Sequence, residues 1–132
     1  MEELTARVNA LCDEKGYNCA QAVFALACGE ESADQKAVLQ ALRAFGGGLA
    51  TGRICGCVTG GSAALSAGVD EQDKPGKQEC RRLTKALVNQ FEEMFGCSEC
   101  SILKKPADGS APVPCRELMA KTVLLCRGLQ GE

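Results

Sequence analysis

The segment CVTGGSAALSAG, residues 57–68, decides how closely the elements of this chain pack. Small side chains dominate it, and glycine and alanine let the backbone of a neighbouring element come near. It has no alternation of apolar and polar residues of the kind that a half-buried strand requires. We therefore predict a helix that is packed tightly between other helices.

The segments on either side predict the other helices through their apolar spacing and their end signals. Before residue 57, helices are predicted at 2–14, at 18–28 with Asn18 as the cap, and at 34–45 behind a Ser32–Gln35 capping box. After residue 68, a long helix begins at Pro75 and ends at Gly96, and a last helix begins near Pro114. The predicted fold is one all-α, cysteine-rich domain, residues 1–132, a bundle of five or six helices with a glycine-rich connection at 46–48.

Composition excludes several classes of function. The chain has no histidine, so it has no Ser/His/Asp triad, no Cys/His nucleophile pair and no mixed Cys/His zinc site. Acidic and basic residues are interspersed and the net charge is -2, so no nucleic-acid partner is expected. Only four Phe and one Tyr are present, which argues against base stacking.

Cysteine usage and the first residues predict a cytoplasmic protein. The first twenty residues begin with charge and never build the apolar core of a secretory signal. No stretch approaches the roughly 20 apolar residues that a membrane span needs, so no membrane partner is expected. Reducing compartments keep thiols free, so the ten cysteines are interpreted as metal ligands, redox groups or packing residues.

Four separate segments each place a cysteine near the end of an element, and four thiolates are what a zinc or iron–sulfur site requires. The candidates are Cys19, Cys55 or Cys57, Cys97 or Cys100, and Cys115. Helix N-termini favour the thiolate form, which strengthens the case for Cys19 and Cys115. Gly56 and Gly60 are candidate cofactor-binding glycines, because bare backbone amides can donate to sulfur. The other four cysteines lie on apolar helix faces and are predicted to pack in the core: Cys12, Cys28, Cys80 and Cys126.

The order of these segments resembles the C_GCAxxG_C_C family of redox-active proteins. The resemblance rests on GYNCAQAVF at 16–24, CGCVTGG at 55–61, FGCSEC at 95–100 and CRELM at 115–119. Aligned on C-G-A-x-x-G, it places the four family cysteines on Cys19, Cys55, Cys100 and Cys115. Cys57 then stands where alanine is expected, and Cys97 is an additional thiol. The resemblance implies redox chemistry and names neither substrate nor cofactor.

Three functions remain open from the sequence, with no decision between an enzyme and a carrier. The first is electron transfer or redox sensing through an iron–sulfur cluster, with an unknown redox partner protein. The second is a metal-free thiol–disulfide protein, in which Cys100 or Cys19 attacks a disulfide and Cys97 resolves the intermediate. The third is a zinc or soft-metal binding module.

Overall fold

The fold is given by a computed structural model, which describes residues 1–131. Within that range the protein is all-α and is built from seven α-helices: α1 (Glu2–Lys15), α2 (Cys19–Ala27), α3 (Ala33–Ala41), α4 (Gly56–Ala67), α5 (Lys74–Phe95), α6 (Cys100–Lys104) and α7 (Cys115–Leu129). The predicted fold class is confirmed. No helix in the described range has the length and apolar character needed to cross a bilayer.

Helix α2 is the centre of the bundle, and it packs against α1, α4 and α7. Nearly every residue of α2 is buried, from Ala20 to Leu26, as expected of a helix that is surrounded by others. A capping box fixes its start: Asn18 accepts from the N–H of Gln21, and Gln21 accepts in turn from the N–H of Asn18. The start of α2 is thus held in one position.

Helices α2 and α4 approach so closely that one side-chain carbon would not fit between them. A Cβ placed on Gly60 would overlap the backbone of Ala20. The small-residue segment that begins at Cys57 therefore forms the tightly packed helix that the sequence predicts. Gly60 serves this contact between the two backbones.

Longer apolar side chains of α5 and α7 complete the core. Leu83, Leu87 and Phe91 of α5 and Val123 of α7 are buried, and each such side chain contributes roughly 1.5–3 kcal/mol of burial free energy. Cys126, predicted as a packing residue, is fully buried on α7, whereas Cys12, Cys28 and Cys80 are half-buried.

Two segments differ from the sequence prediction. The third α-helix ends at Ala41 rather than at Phe45, and residues 42–44 tighten into a 3₁₀ turn. Helix α6 was not predicted as a helix. It has only five residues, too few to be stable alone, and depends on tertiary contacts such as the buried Leu103.

A strap, defined as residues 46–52, joins the 3₁₀ turn to the segment before α4. Gly47, Gly48 and Gly52 have positive φ, and so do two residues that are not glycine, Leu49 (φ 59) and Ala50 (φ 61). A left-handed conformation costs a residue with a Cβ about 1–2 kcal/mol. The strap is therefore a strained segment, and it packs against α6.

Candidate thiol site

Five cysteines meet at one cavity of about 210 Å³, which we call the thiol cavity. The thiols come from the starts of α2, α4, α6 and α7, and all five are among the six thiols that the sequence predicted for the site. They are Cys19, Cys55, Cys57, Cys100 and Cys115. The rest of the wall is formed by Asn18, Gly46, Gly47, Leu103, Lys104, Leu118 and Met119.

A short antiparallel crossing brings the second and third cysteine segments together. The N–H of Cys55 donates to the carbonyl of Ser98 at 2.7 Å, and the N–H of Cys100 donates to the carbonyl of Arg53 at 2.6 Å. Between them, Ile54 and Glu99 form an isolated β-bridge. These backbone bonds hold Cys55 and Cys100 at adjacent positions of the cavity wall.

Cys19 is an unusually acidic thiol. The pKa of Cys19 is lowered from 9.0 to about 6, first by a hydrogen bond from the Cys57 thiol and then by the backbone N–H groups of Ala20 and Gly47, against the opposing effect of burial. Asn18 ties this end of α2 to the 3₁₀ turn after α3, because its amide donates to the carbonyls of Leu42 and Arg43 at 3.1 and 3.0 Å. Cys19 is therefore the favoured thiolate of the site.

Cys57 lies between Cys19 and Cys55 and is 1% exposed. Its pKa is raised well above the ordinary value, because its one S–H proton can be donated to the sulfur of Cys19 or of Cys55 and because it is buried. The pKa of Cys55 is lowered, first by the hydrogen bond from Cys57. The three sulfurs thus form one hydrogen-bonded group with Cys57 as its protonated member.

Cys100 and Cys115 have raised pKa values, and burial is the largest cause for both. The ammonium of Lys104 opposes that rise at each thiol. Cys100 is buried, whereas Cys115 is exposed at the rim. The cavity therefore has a buried end at Cys57 and an open end at Cys115.

The structure separates the two cysteines of the C-x-x-C motif. Cys97 lies in a different groove of about 380 Å³, together with Phe95 and Ile102, while Cys100 lines the thiol cavity. Leu103 lines both spaces and lies between them. Cys97 therefore does not line the cavity that the other five predicted thiols share.

The two predicted glycines occupy different places. A Cβ on Gly56 would run into the sulfur of Cys19, so this glycine makes room for the thiolate. Gly60 lies outside the cavity wall, where it packs on Ala20.

Lys104 lines the thiol cavity but was missed by the sequence interpretation. Its spacing of four from Cys100 is the signal that would have found it, had α6 been predicted.

Within residues 1–131, no three Cys, Asp or Glu side chains are grouped closely enough to hold one metal ion. The donors around the thiol cavity are sulfurs, without a carboxylate. The wall includes bare backbone at Gly46 and Gly47 and apolar side chains at Leu118 and Met119. The site thus offers five sulfur atoms, which are soft ligands, in the wall of a cavity of about 210 Å³.

Residues 17–129 match the protein family described as "Putative redox-active protein (C_GCAxxG_C_C)". Searches of curated proteins and of solved structures give no match. The motif G-C-A-x-x-G in that description aligns with Gly56–Gly61, which places its cysteine on Cys57 and Val58 at the alanine. This differs from the alignment on C-G-A-x-x-G, which used Cys55. Because the match covers most of its length, the chain belongs to this family of redox-active proteins.

Proposed function

We propose that this redox-active protein transfers or senses electrons through an iron–sulfur cluster held in the thiol cavity. The observation that carries the proposal is the meeting of five thiols, from segments as distant as Cys19 and Cys115, around one space of about 210 Å³. A dithiol reaction needs two sulfurs, whereas a cluster needs four. The number of converging thiols therefore favours the cluster.

The donor set suits a cluster. A cluster shares its cysteine ligands among several iron atoms, so its sulfurs stand around a space rather than on one ion. The thiol cavity offers five sulfurs around about 210 Å³. Cys19, Cys100 and Cys115 would each supply one thiolate, and either Cys55 or Cys57 the fourth.

When bound, the cluster would supply one-electron chemistry, and the chain would control it. The N–H of Gly47 already donates to the Cys19 sulfur, and hydrogen bonds to sulfur raise a cluster potential. Buried Leu103, Leu118 and Met119 restrict water at the wall. An unidentified redox protein would exchange electrons at the open end near Cys115. The free thiols suit a reducing compartment such as the cytoplasm.

A second candidate function is thiol–disulfide exchange, favoured by the pKa of about 6 at Cys19 and by its hydrogen bond with Cys57. The Cys19 thiolate would attack one sulfur of a substrate disulfide, form a mixed disulfide and release the other sulfur as a thiolate. Cys57, after losing its proton, would then attack the Cys19 sulfur and release the second substrate thiolate. The substrate disulfide is reduced to two thiols, and the Cys19–Cys57 pair is oxidised.

Metal and sulfide analysis of protein purified without oxygen tests the proposal. We expect iron and acid-labile sulfide in equal amounts, with broad visible absorbance that bleaches on reduction. Cys19→Ser and Cys115→Ser should each lose most of the iron. Cys80→Ser, at a half-buried cysteine outside the cavity, is the matched control and should keep it.

The other outcomes of that analysis contradict the cluster. A metal-free protein that gains and loses one disulfide between Cys19 and Cys57 supports the second candidate. Stoichiometric zinc without sulfide supports a soft-metal module.

In the iron-loaded protein, comparing Cys55→Ser with Cys57→Ser identifies the fourth ligand, since only the variant that removes a ligand should release iron.

A further inference from the structure

Lys104 contributes the one cationic side chain among the described residues that line the thiol cavity. Helix α6 begins at Cys100, so Lys104 lies one turn further along the same helix face. The other wall residues are thiols, an amide, glycines and apolar side chains. A single positive charge therefore borders a group of sulfurs.

The charge of Lys104 is not neutralised by a neighbouring carboxylate within residues 1–131. The ion pairs found there join other residues, namely Lys15–Glu30, Arg82–Glu79, Arg116–Asp13 and Lys121–Glu117. Lys104 also lines the same cavity as Cys100 and Cys115, so its ammonium faces a space that both sulfurs share.

We propose that Lys104 makes the thiol cavity selective for anionic ligands and stabilises the more negative state of the sulfur centre. Thiolates carry negative charge, and so does a cluster that four thiolates bind. A nearby cation favours negative charge most strongly where apolar walls exclude water. The effect of Lys104 on a bound cluster rests on the proposed function, whereas its selectivity for anionic ligands does not.

The first test uses the full chain in its reduced, metal-free form. The rate of alkylation at Cys115, the exposed thiol of the cavity, is measured by mass spectrometry with iodoacetate and with iodoacetamide. Both reagents form an S–C bond with the thiolate and release iodide, so a change in the pKa of the thiol cancels in the ratio of the two rates. The ratio reports how strongly the site attracts the carboxylate of iodoacetate.

We expect Lys104→Met to lower the iodoacetate-to-iodoacetamide ratio about threefold at low salt, the size expected for one exposed charge several ångströms away. High salt should remove the difference. Lys104→Arg should keep the ratio. Lys105→Met is the matched control, because Lys105 is also exposed but does not line the cavity. An unchanged ratio in Lys104→Met, or an equal fall in Lys105→Met, overturns the proposal, provided that circular dichroism shows the helices intact.

The second test uses the cluster-loaded protein. Lys104→Met should make the midpoint potential more negative, because losing the cation disfavours the reduced state, while Lys105→Met should leave it unchanged. If the wild-type protein takes up no iron and sulfide, the proposed function fails, yet the alkylation ratio still decides the role of Lys104. The two failures are therefore distinguishable.

Discussion

At the scale of single residues, the acidity of Cys19 comes from its neighbours. The Cys57 thiol and the backbone N–H groups of Ala20 and Gly47 donate toward its sulfur, and Gly56 leaves the space that the sulfur occupies. The backbone donors lie at the start of α2 and in the Gly46–Gly47 pair, and both features can be recognised in the sequence. The sequence also marks Cys57 as a candidate thiol, but its hydrogen bond to Cys19 is known only from the fold.

Cys57→Ala should raise the pKa of Cys19 above its value of about 6, because the largest cause of the lowering is the hydrogen bond from Cys57. The rate of Cys19 alkylation by iodoacetamide, followed against pH on the reduced metal-free chain, measures this pKa. The midpoint of the profile should move toward that of an ordinary thiol.

Cys126→Ala is the matched control, because it also removes a fully buried sulfur, one that lies outside the cavity wall. Its Cys19 profile should coincide with that of the wild-type protein. Equal shifts in both variants would mean that lost packing, rather than a lost hydrogen bond, sets the acidity of Cys19.

At the scale of elements, the strap is the segment whose local conformation conflicts with its residues. Leu49 and Ala50 have positive φ, and both are exposed, so neither gains much from burial there. Gly48, by contrast, has the backbone of Arg53 and the Cβ of Cys100 against it. The strap keeps its shape because its glycine contacts outweigh its strain.

Ala50→Gly should therefore raise the free energy of unfolding by about 0.5–1 kcal/mol, since glycine adopts positive φ without a Cβ penalty but loses more chain entropy on folding. Urea denaturation of the reduced protein measures the change.

Ala41→Gly provides the comparison, because Ala41 is also exposed but has right-handed helical angles (φ -65, ψ -28). It should lower the free energy of unfolding by about 1 kcal/mol. The same substitution would then have opposite signs at the two positions. A loss of stability at both would show that the strap is not strained at Ala50.

The helices were predictable where apolar periodicity and capping residues coincide, as in the capping boxes of Asn18 and Ser32. The convergence of Cys19, Cys55, Cys57 and Cys115 was predictable because they lie at or beside the starts of predicted helices, whereas Cys100 was indicated only by its C-x-x-C motif. Helix α6 was not predictable, because five residues carry too little periodicity to detect. Without α6, neither the separation of Cys97 from Cys100 nor the position of Lys104 could be inferred.

At the scale of the whole molecule, Cys126 links core packing to pH. Burial raises the pKa of Cys126 from 9.0 to about 12. The thiol of the unfolded chain loses its proton near pH 9.0, whereas the native thiol keeps it until about pH 12. Ionisation therefore stabilises the unfolded chain between these values, and the free energy of unfolding falls as the pH rises from 9.0 to about 12. Below pH 9.0 this loss is absent. Cys126→Ala should be less stable than the wild-type protein at neutral pH, and its stability should decline less steeply across that interval.

Urea denaturation under reducing conditions, repeated across the interval, measures the two slopes. Other buried thiols with raised pKa values, such as Cys57 and Cys100, titrate in both proteins and cancel in the difference. Val123→Ala, at a fully buried residue of the same helix without a titratable group, should lose stability by an amount independent of pH. Parallel slopes for Cys126→Ala and the wild-type protein would contradict the prediction.

The origin of the cavity thiols at the starts of four different helices has a consequence for the life of the protein in a cell. Unfolding of the bundle disperses these sulfurs, so a group bound by four of them would be held only by the folded chain. Occupancy of the cavity would therefore add its binding free energy to the stability of the complete bundle. A loaded molecule would then outlast an empty one under proteolysis.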